Sequence, residues 1–259
     1  MLAKRRLAAI LTAVFQRRHW RAAINMFRVC GDVPDAFARY LLARGEYPAS
    51  MRLKTPLGEV RPTLYSHVDM LTVNEIFCRQ DYYASVSDRI IVDFGSNIGL
   101  SALYFLTRDR ASFVYCYEPL PFNCERFRRN LAGFEGRYQL AEYAVALEDG
   151  AADFGYEFTG RFGGIGKDTG ATMTVECRDA VAVLRGILQE HEGIDVLKMD
   201  IETFEEEILL AIPEDVLRRI RRIYVEQRFR NNPLGRTHSF RQYGFVACFA
   251  RSPRLPSEL

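Results

Sequence analysis

The stretch Ile91-Val92-Asp93-Phe94-Gly95-Ser96-Asn97-Ile98-Gly99-Leu100-Ser101 decides how this 259-residue chain is read. An apolar run with two β-branched residues ends in an acid. A turn with two glycines follows, and an apolar helix-like stretch starts at Gly99. Glycine lets backbone and ligand come close because it has no Cβ. Such a turn at the carboxyl end of a parallel strand is where doubly wound sheets bind ligands. The dinucleotide fingerprint needs G-x-G-x-x-G. The G-x-N-x-G here does not meet it, and Asp93 just before the turn would repel a pyrophosphate.

Working outward, the same rhythm repeats. Strands are predicted over 89–94, 113–117, 138–144, 194–199 and 220–225, with helices over 99–107, 121–131 and 203–211. Residues 245–249 read as a last strand of the same sheet. Strands alternating with helices mean βαβ units, a parallel sheet and right-handed crossovers. The expectation is an α/β, Rossmann-like domain with a doubly wound, mostly parallel sheet over 86–259. Residues 155–170 interrupt it with six glycines, Arg161 and Lys167. The flanking 152–158 and 171–177 look extended, so an inserted hairpin is expected there. It reads either as a mobile loop covering a site or as a plain flexible tip.

Residues 1–85 form a helical or mixed extension. Helical patterns run over 3–29 and 33–44, and Pro48, Pro56 and Pro62 break up short strand-like pieces such as 51–55. A helix is expected over 68–77, capped by Asp69, Thr72 or Asn74, with Ile76 and Phe77 inward.

Composition narrows the function. Lys+Arg 35 against Asp+Glu 33 gives a net charge of +2, which argues against a dedicated nucleic-acid binder. The six scattered cysteines have no C-x-x-C pair and read as buried reduced thiols of a cytoplasmic protein. No apolar run reaches the ~18–20 residues that span a bilayer. The charges are uneven, however. No acid precedes Asp32, while Lys4, Arg5, Arg6, Arg17, Arg18, Arg21 and Arg28 do. This segment reads as a packed helix with a solvated basic face, a transit-like start, or a helix lying on an anionic membrane with Trp20 at the interface. A signal peptide fits poorly, because Gln16-Arg17-Arg18 stands where small cleavage-site residues belong. Of the histidines, His19, His67 and His191 carry no motif, and His238 is expected on the surface of a polar loop.

Two further motifs bear chemistry. Glu118, in Tyr115-Cys116-Tyr117-Glu118-Pro119, ends the next strand ~20 residues after the glycine turn, where a carboxylate can accept from both ribose hydroxyls. Lys198, Asp200 and Glu202 alternate along the end of a strand and its exit, with Glu205 three residues on. Charges on an inner strand are costly unless paired or functional, so this cluster marks a site. The acid before the turn suits a cationic, phosphate-free ligand such as S-adenosylmethionine, with its sulfonium and amino group.

Together these residues resemble the FkbM family of S-adenosylmethionine-dependent methyltransferases. The likeness runs over about 71–249. It is carried by Asp93 to Gly99 with Leu100-Ser101-Ala102, by Glu118-Pro119 with Phe122-Asn123, and by Lys198-Met199-Asp200-Ile201-Glu202 with Glu205, behind the lead-in Thr72-Val73-Asn74-Glu75-Ile76-Phe77. The resemblance implies a class I methyltransferase fold and O-methylation of a sugar, glycan or natural product. It implies that Asp93 holds the cofactor's methionine part, that Gly95, Ser96, Asn97 and Gly99 line it, and that Glu118 binds the ribose. Glu142 or Ala144 would neighbour the adenine. Asp200 is the candidate base, with Glu202 and Lys198 orienting it. Asp200, Glu202 and Glu226 could cluster as oxygen ligands, but without a recognised triad no metal is assigned.

Two departures concern the substrate. Thr203-Phe204 stands where the family usually has Gly-Ala, and Gln227-Arg228 follows Glu226 where a histidine is frequent. The rival readings are a nicotinamide-dependent oxidoreductase, a non-catalytic docking module, and methylation of protein or RNA. The acceptor motif Asn/Asp-Pro-Pro-Tyr used for nitrogen is missing after residue 199, which favours oxygen.

Overall fold

The computed structural model describes residues 17–252. The chain divides into two compact units, one through Tyr83 and one from Ala84.

The first unit starts with α1 (Arg17–Val29) and α2 (Val33–Leu42). Residues 3–16 of the expected first helix lie outside the described residues. Asp32 caps α2 by accepting from the Asp35 amide at 3.0 Å, and Pro34 sits in its first turn, where a missing N–H costs nothing. Short strands follow. β1 (Ala49–Ser50) pairs with β4 (Thr63–Leu64), and β2 (Leu53–Thr55) pairs with β3 (Gly58–Val60). Then α3 (His67–Val73) passes into a wider helical stretch, Asn74–Arg79. Its cap differs from expectation. Ser66, extended at φ −151°, is the N-cap, and Asp69 closes a capping box with it from inside the helix. Ile76 and Phe77 do face inward.

The second unit holds β5 (Ile90–Phe94), α4 (Leu100–Leu106), β6 (Phe113–Tyr117), α5 (Pro121–Asn130) and β7 (Tyr138–Ala141). Next come β8 (Ala144–Ala146), β9 (Gly150–Tyr156), β10 (Gly163–Ile165), β11 (Ala171–Asp179) and α6 (Ala180–Glu190). The chain ends in β12 (Ile194–Met199), α7 (Glu205–Ala211), α8 (Glu214–Leu217), β13 (Ile220–Val225), β14 (His238–Tyr243) and β15 (Val246–Arg251). Seven strands form the main sheet in the order β14-β15-β13-β12-β5-β6-β7. The five from β13 to β7 are parallel, and the β14–β15 hairpin closes one edge antiparallel. Val92, Phe94, Leu197, Met199, Ile223 and Val225 bury against Leu184 and Leu188 of α6 and Ile208 of α7. Strands covered on both faces read as continuous apolar runs, so the α/β reading holds.

Three expectations need correction. The third strand stops at Ala141, not residue 144. The chain leaves the main sheet at Glu142-Tyr143, and Ala144 opens β8, which pairs in parallel with Cys177 of β11 in a second sheet, β10-β9-β11-β8. The expected hairpin forms the rest of that sheet. His238 is not a surface residue. It opens β14, buried, with Nε2 3.1 Å from the Ile220 carbonyl and Nδ1 2.8 Å from Thr237 Oγ1. Burial pushes its pKa down, away from a role as an acid. Finally, α6 has no counterpart among the helices predicted from sequence. Its three valine and isoleucine residues and Gly186 blur the helical period, yet Asp179 caps it by accepting from Ala182. All six cysteines are free, and five are buried. Among the described residues no helix is long and apolar enough to cross a membrane.

Gly95 sits at φ +81°, and a Cβ there would lie 1.9 Å from the Asp200 carbonyl oxygen. Replacing it forces a side chain into the left-handed region and into backbone. Gly95→Ala is expected to lose about 2 kcal/mol or more on thermal unfolding. An unchanged midpoint would mean that the exits of β5 and β12 are not packed this closely.

Candidate functional site

At the carboxyl end of β5 the turn consumes its first donors internally. Gly95 and Ser96 amides both donate to the Tyr117 carbonyl, at 3.1 and 3.0 Å, and Ser96 Oγ donates to the Asp93 carbonyl at 2.9 Å. Ser96 thus staples β5 to β6 and is buried. The next residue turns outward: Asn97 adopts φ +48°, and its amide donates to Glu118 Oε2 at 2.9 Å. Gly99, at φ +86°, starts α4.

Glu118 is buried at the end of β6. Its Oε1 accepts from the Leu120 amide and from Asn123 Nδ2, each at 3.1 Å. Burial nonetheless pushes its pKa up to about 7, because desolvation outweighs these hydrogen bonds.

Lys198 and Asp93 face each other across the β12–β5 register. Lys198 Nζ lies 2.9 Å from Asp93 Oδ1, 3.0 Å from the Gly95 carbonyl and 3.5 Å from Asp200 Oδ2. Asp93 is fully buried, and its other oxygen accepts from Ser101 Oγ. Both of its oxygens are turned inward. Its charge is spent on Lys198 and the first turn of α4. Burial alone would drive the Lys198 proton off, but Asp93 and Asp200 more than offset this and hold the ammonium charged. In turn, Asp200 is pushed up by burial, yet Lys198, a hydrogen bond with Glu226, and Arg161 bring its pKa below the usual carboxylate value.

Asp200, Glu202 and Glu226 each bring one carboxylate oxygen within 4.8 Å of the others. Three cations stand against them: Lys198, Arg161 through its field on Asp200, and Lys167, whose Nζ lies 2.9 Å from Glu202 Oε2. Glu202 itself is strained at φ +70°. The buried Glu205 carboxylate fixes that turn by accepting from the amides of Ile201, at 2.8 Å, and Glu202.

The glycine-rich insert packs on these residues. The Gly160 carbonyl accepts from Asn97 Nδ2 at 2.9 Å and Asn123 Nδ2 at 2.8 Å. Arg126 reaches the Thr159 carbonyl at 2.8 Å. A Cβ at Gly164 would meet Thr203 Oγ1 at 2.3 Å, so the glycine makes room for the threonine that departs from the family pattern. Asn123, Arg161 and Lys167 were not expected site residues. For Arg161 and Lys167 the signal in sequence is the mix of cations and glycines in the insert, and for Asn123 it is the Phe122-Asn123 pair after Glu118-Pro119. Glu142 lies apart: it is exposed and ion-paired with Arg128 of α5. Ala144 is buried in β8.

Residues 93–246 match the family described as methyltransferase FkbM domain. Over 195 residues the chain is 25% identical to the AMB antimetabolite synthetase AmbE of Pseudomonas aeruginosa, an alignment covering 60% of this chain. The chain spans 9% of the length of that curated relative. Among solved structures, a methyltransferase from Geobacter sulfurreducens overlaps at 19% identity with TM-score 0.38, covering 64% of this chain and 72% of that one. An rRNA methylase from Streptococcus thermophilus overlaps at 8% identity with TM-score 0.35, covering 63% of this chain and 87% of that one.

Lys198→Met removes one half of a buried pair and is expected to destabilise the chain by about 3–5 kcal/mol. Adding Asp93→Asn should recover part of this, since no unpaired charge then remains buried. Denaturant unfolding of both variants checks it. Equal stability of Lys198→Met and the parent would refute the pairing.

Proposed function

The chain belongs to the FkbM methyltransferase family, and from that premise we propose that it transfers a methyl group from S-adenosylmethionine to a hydroxyl of a sugar, glycan or natural product. The observation that carries the reading is Asp200, held ionised by Lys198 beside the glycine turn. When bound, the cofactor supplies an electrophilic methyl on a sulfonium. The residues present fit its ribose. Glu118 accepts three hydrogen bonds from the chain out of roughly four that a carboxylate can take. Next to it, Asn123 Oδ1 is fully buried and has no hydrogen-bond partner. Acceptors thus remain for two hydroxyls, while the phosphate-binding pattern of a nicotinamide enzyme is missing. The Gly95–Gly99 turn would support the methionine part. Asp93 acts from behind, by fixing Lys198.

The acceptor hydroxyl would sit against Asp200. Its lowered pKa makes Asp200 a weak base that is always ionised near neutrality, so it takes the proton as the oxygen–carbon bond forms and not before. Most of the acceleration would then come from holding the oxygen in line and close. Lys198 keeps the Asp200 carboxylate oriented, and Glu202 is aimed by Lys167. The alignment with an antimetabolite synthetase agrees with a natural-product acceptor.

Calorimetric titration with S-adenosylhomocysteine, and separately with NADH, tests the cofactor. Binding of the first alone is expected, and binding of NADH instead would overturn the reading. Because the ribose favours an ionised Glu118, affinity should rise up to ~tenfold per pH unit below about 7 and level off above it. A flat profile from acid to neutral pH would remove Glu118 from the ribose. Asp200→Asn should leave S-adenosylhomocysteine binding intact and lower kcat by about 10²–10⁴. Unchanged turnover would exclude Asp200 as the base.

A further inference from the structure

We propose that α1 docks the chain onto an anionic membrane surface. Viewed down the helix, the residues sort into two arcs. Ala22, Met26 and the following Cys30 are buried on one side. On the other, Trp20, Ile24 and Phe27 form a stripe at spacings of four and three residues. They are 57%, 49% and 63% exposed, which is unusual for three large apolar side chains in a row on one helix. Arg21 and Arg28 flank this stripe and, with Trp20, Ile24, Asn25 and Gln80, line one open pocket. Arg21 spends one contact on Gln80 Oε1, which leaves other guanidinium donors for a headgroup phosphate.

The charge says what covers this face. Up to residue 31 the chain has seven cations and no acid, and α1 has no acidic residue in its first turn. The first acid, Asp32, is occupied in capping α2. A second copy of the same face would bring cations against cations. A nucleic acid would meet the cations but leave Trp20, Ile24 and Phe27 in water. An anionic bilayer satisfies both the stripe and its flanking cations: the aromatic and aliphatic side chains enter the interface, and the arginines meet the headgroups. This docking is independent of the proposed chemistry.

The test uses the full chain. Flotation with phosphatidylcholine vesicles, with and without phosphatidylglycerol, is read together with emission from the chain's single tryptophan, Trp20. Binding and a blue shift are expected with the anionic vesicles only, both weakening as salt is raised. Each cation near the surface contributes roughly fivefold to the partition. Arg21→Glu with Arg28→Glu should therefore lower it more than ~tenfold while the thermal midpoint stays unchanged. Phe27→Ser should lower it through lost apolar insertion. Absence of flotation, equal binding to neutral vesicles, or full binding by the doubly reversed variant would each overturn the proposal. So would a blue shift that grows with protein concentration in the absence of lipid, which would assign the face to a second copy.

Discussion

The buried contact between Lys198 and Asp93 is the constraint on which the site depends. Two charges sit side by side on adjacent parallel strands, in the middle of an apolar sheet. Such a pair gives little net stability, because desolvation consumes most of the attraction. What it supplies is position. Lys198 cannot relax toward solvent, so its remaining donors reach the Gly95 carbonyl and Asp200. The exit of β12 is thereby tied to the turn after β5. Gly95 has no side chain, which allows the two backbones to meet.

Around that tie, strain is held by buried polar groups. Asn97 and Glu202 both occupy the left-handed region without being glycine. Each is stabilised by a carboxylate that accepts its amide: Glu118 for Asn97 and Glu205 for Glu202. Strain of this kind persists only where the surroundings over-determine it, and it clusters at working sites. The insert then rests on the same groups, through Gly160 on Asn97 and Asn123 and through Lys167 on Glu202. Groups assigned to the cofactor and to the acceptor therefore touch one segment.

The legible part of the chain follows one physical rule. Strands buried on both faces are mostly apolar, so β5, β6 and the inner parts of β12 and β13 stand out in sequence. The charges at or next to their carboxyl ends, Asp93, Glu118 and Lys198, stand out for the same reason. Elements with mixed character did not. β14 reads as polar because alternate residues face solvent, and His238 therefore reads as a loop residue although it is buried. The break at Glu142 has no glycine or proline to announce it. Only the pairing of Ala144 with Cys177 shows that the chain has changed sheets.

The sequence by itself determined the α/β class, the order of the parallel strands' motifs and the identity of the charged residues at their carboxyl ends. These depend on local pattern and on the cost of burying charge, both readable residue by residue. Tertiary structure alone decided which way those charges point. Asp93 turns inward because Lys198 lies beside it in register. Thr203 is accommodated because a glycine 39 positions earlier in the chain, Gly164, lies against it. Such partners are far apart in sequence, and no local pattern carries the information that brings them together.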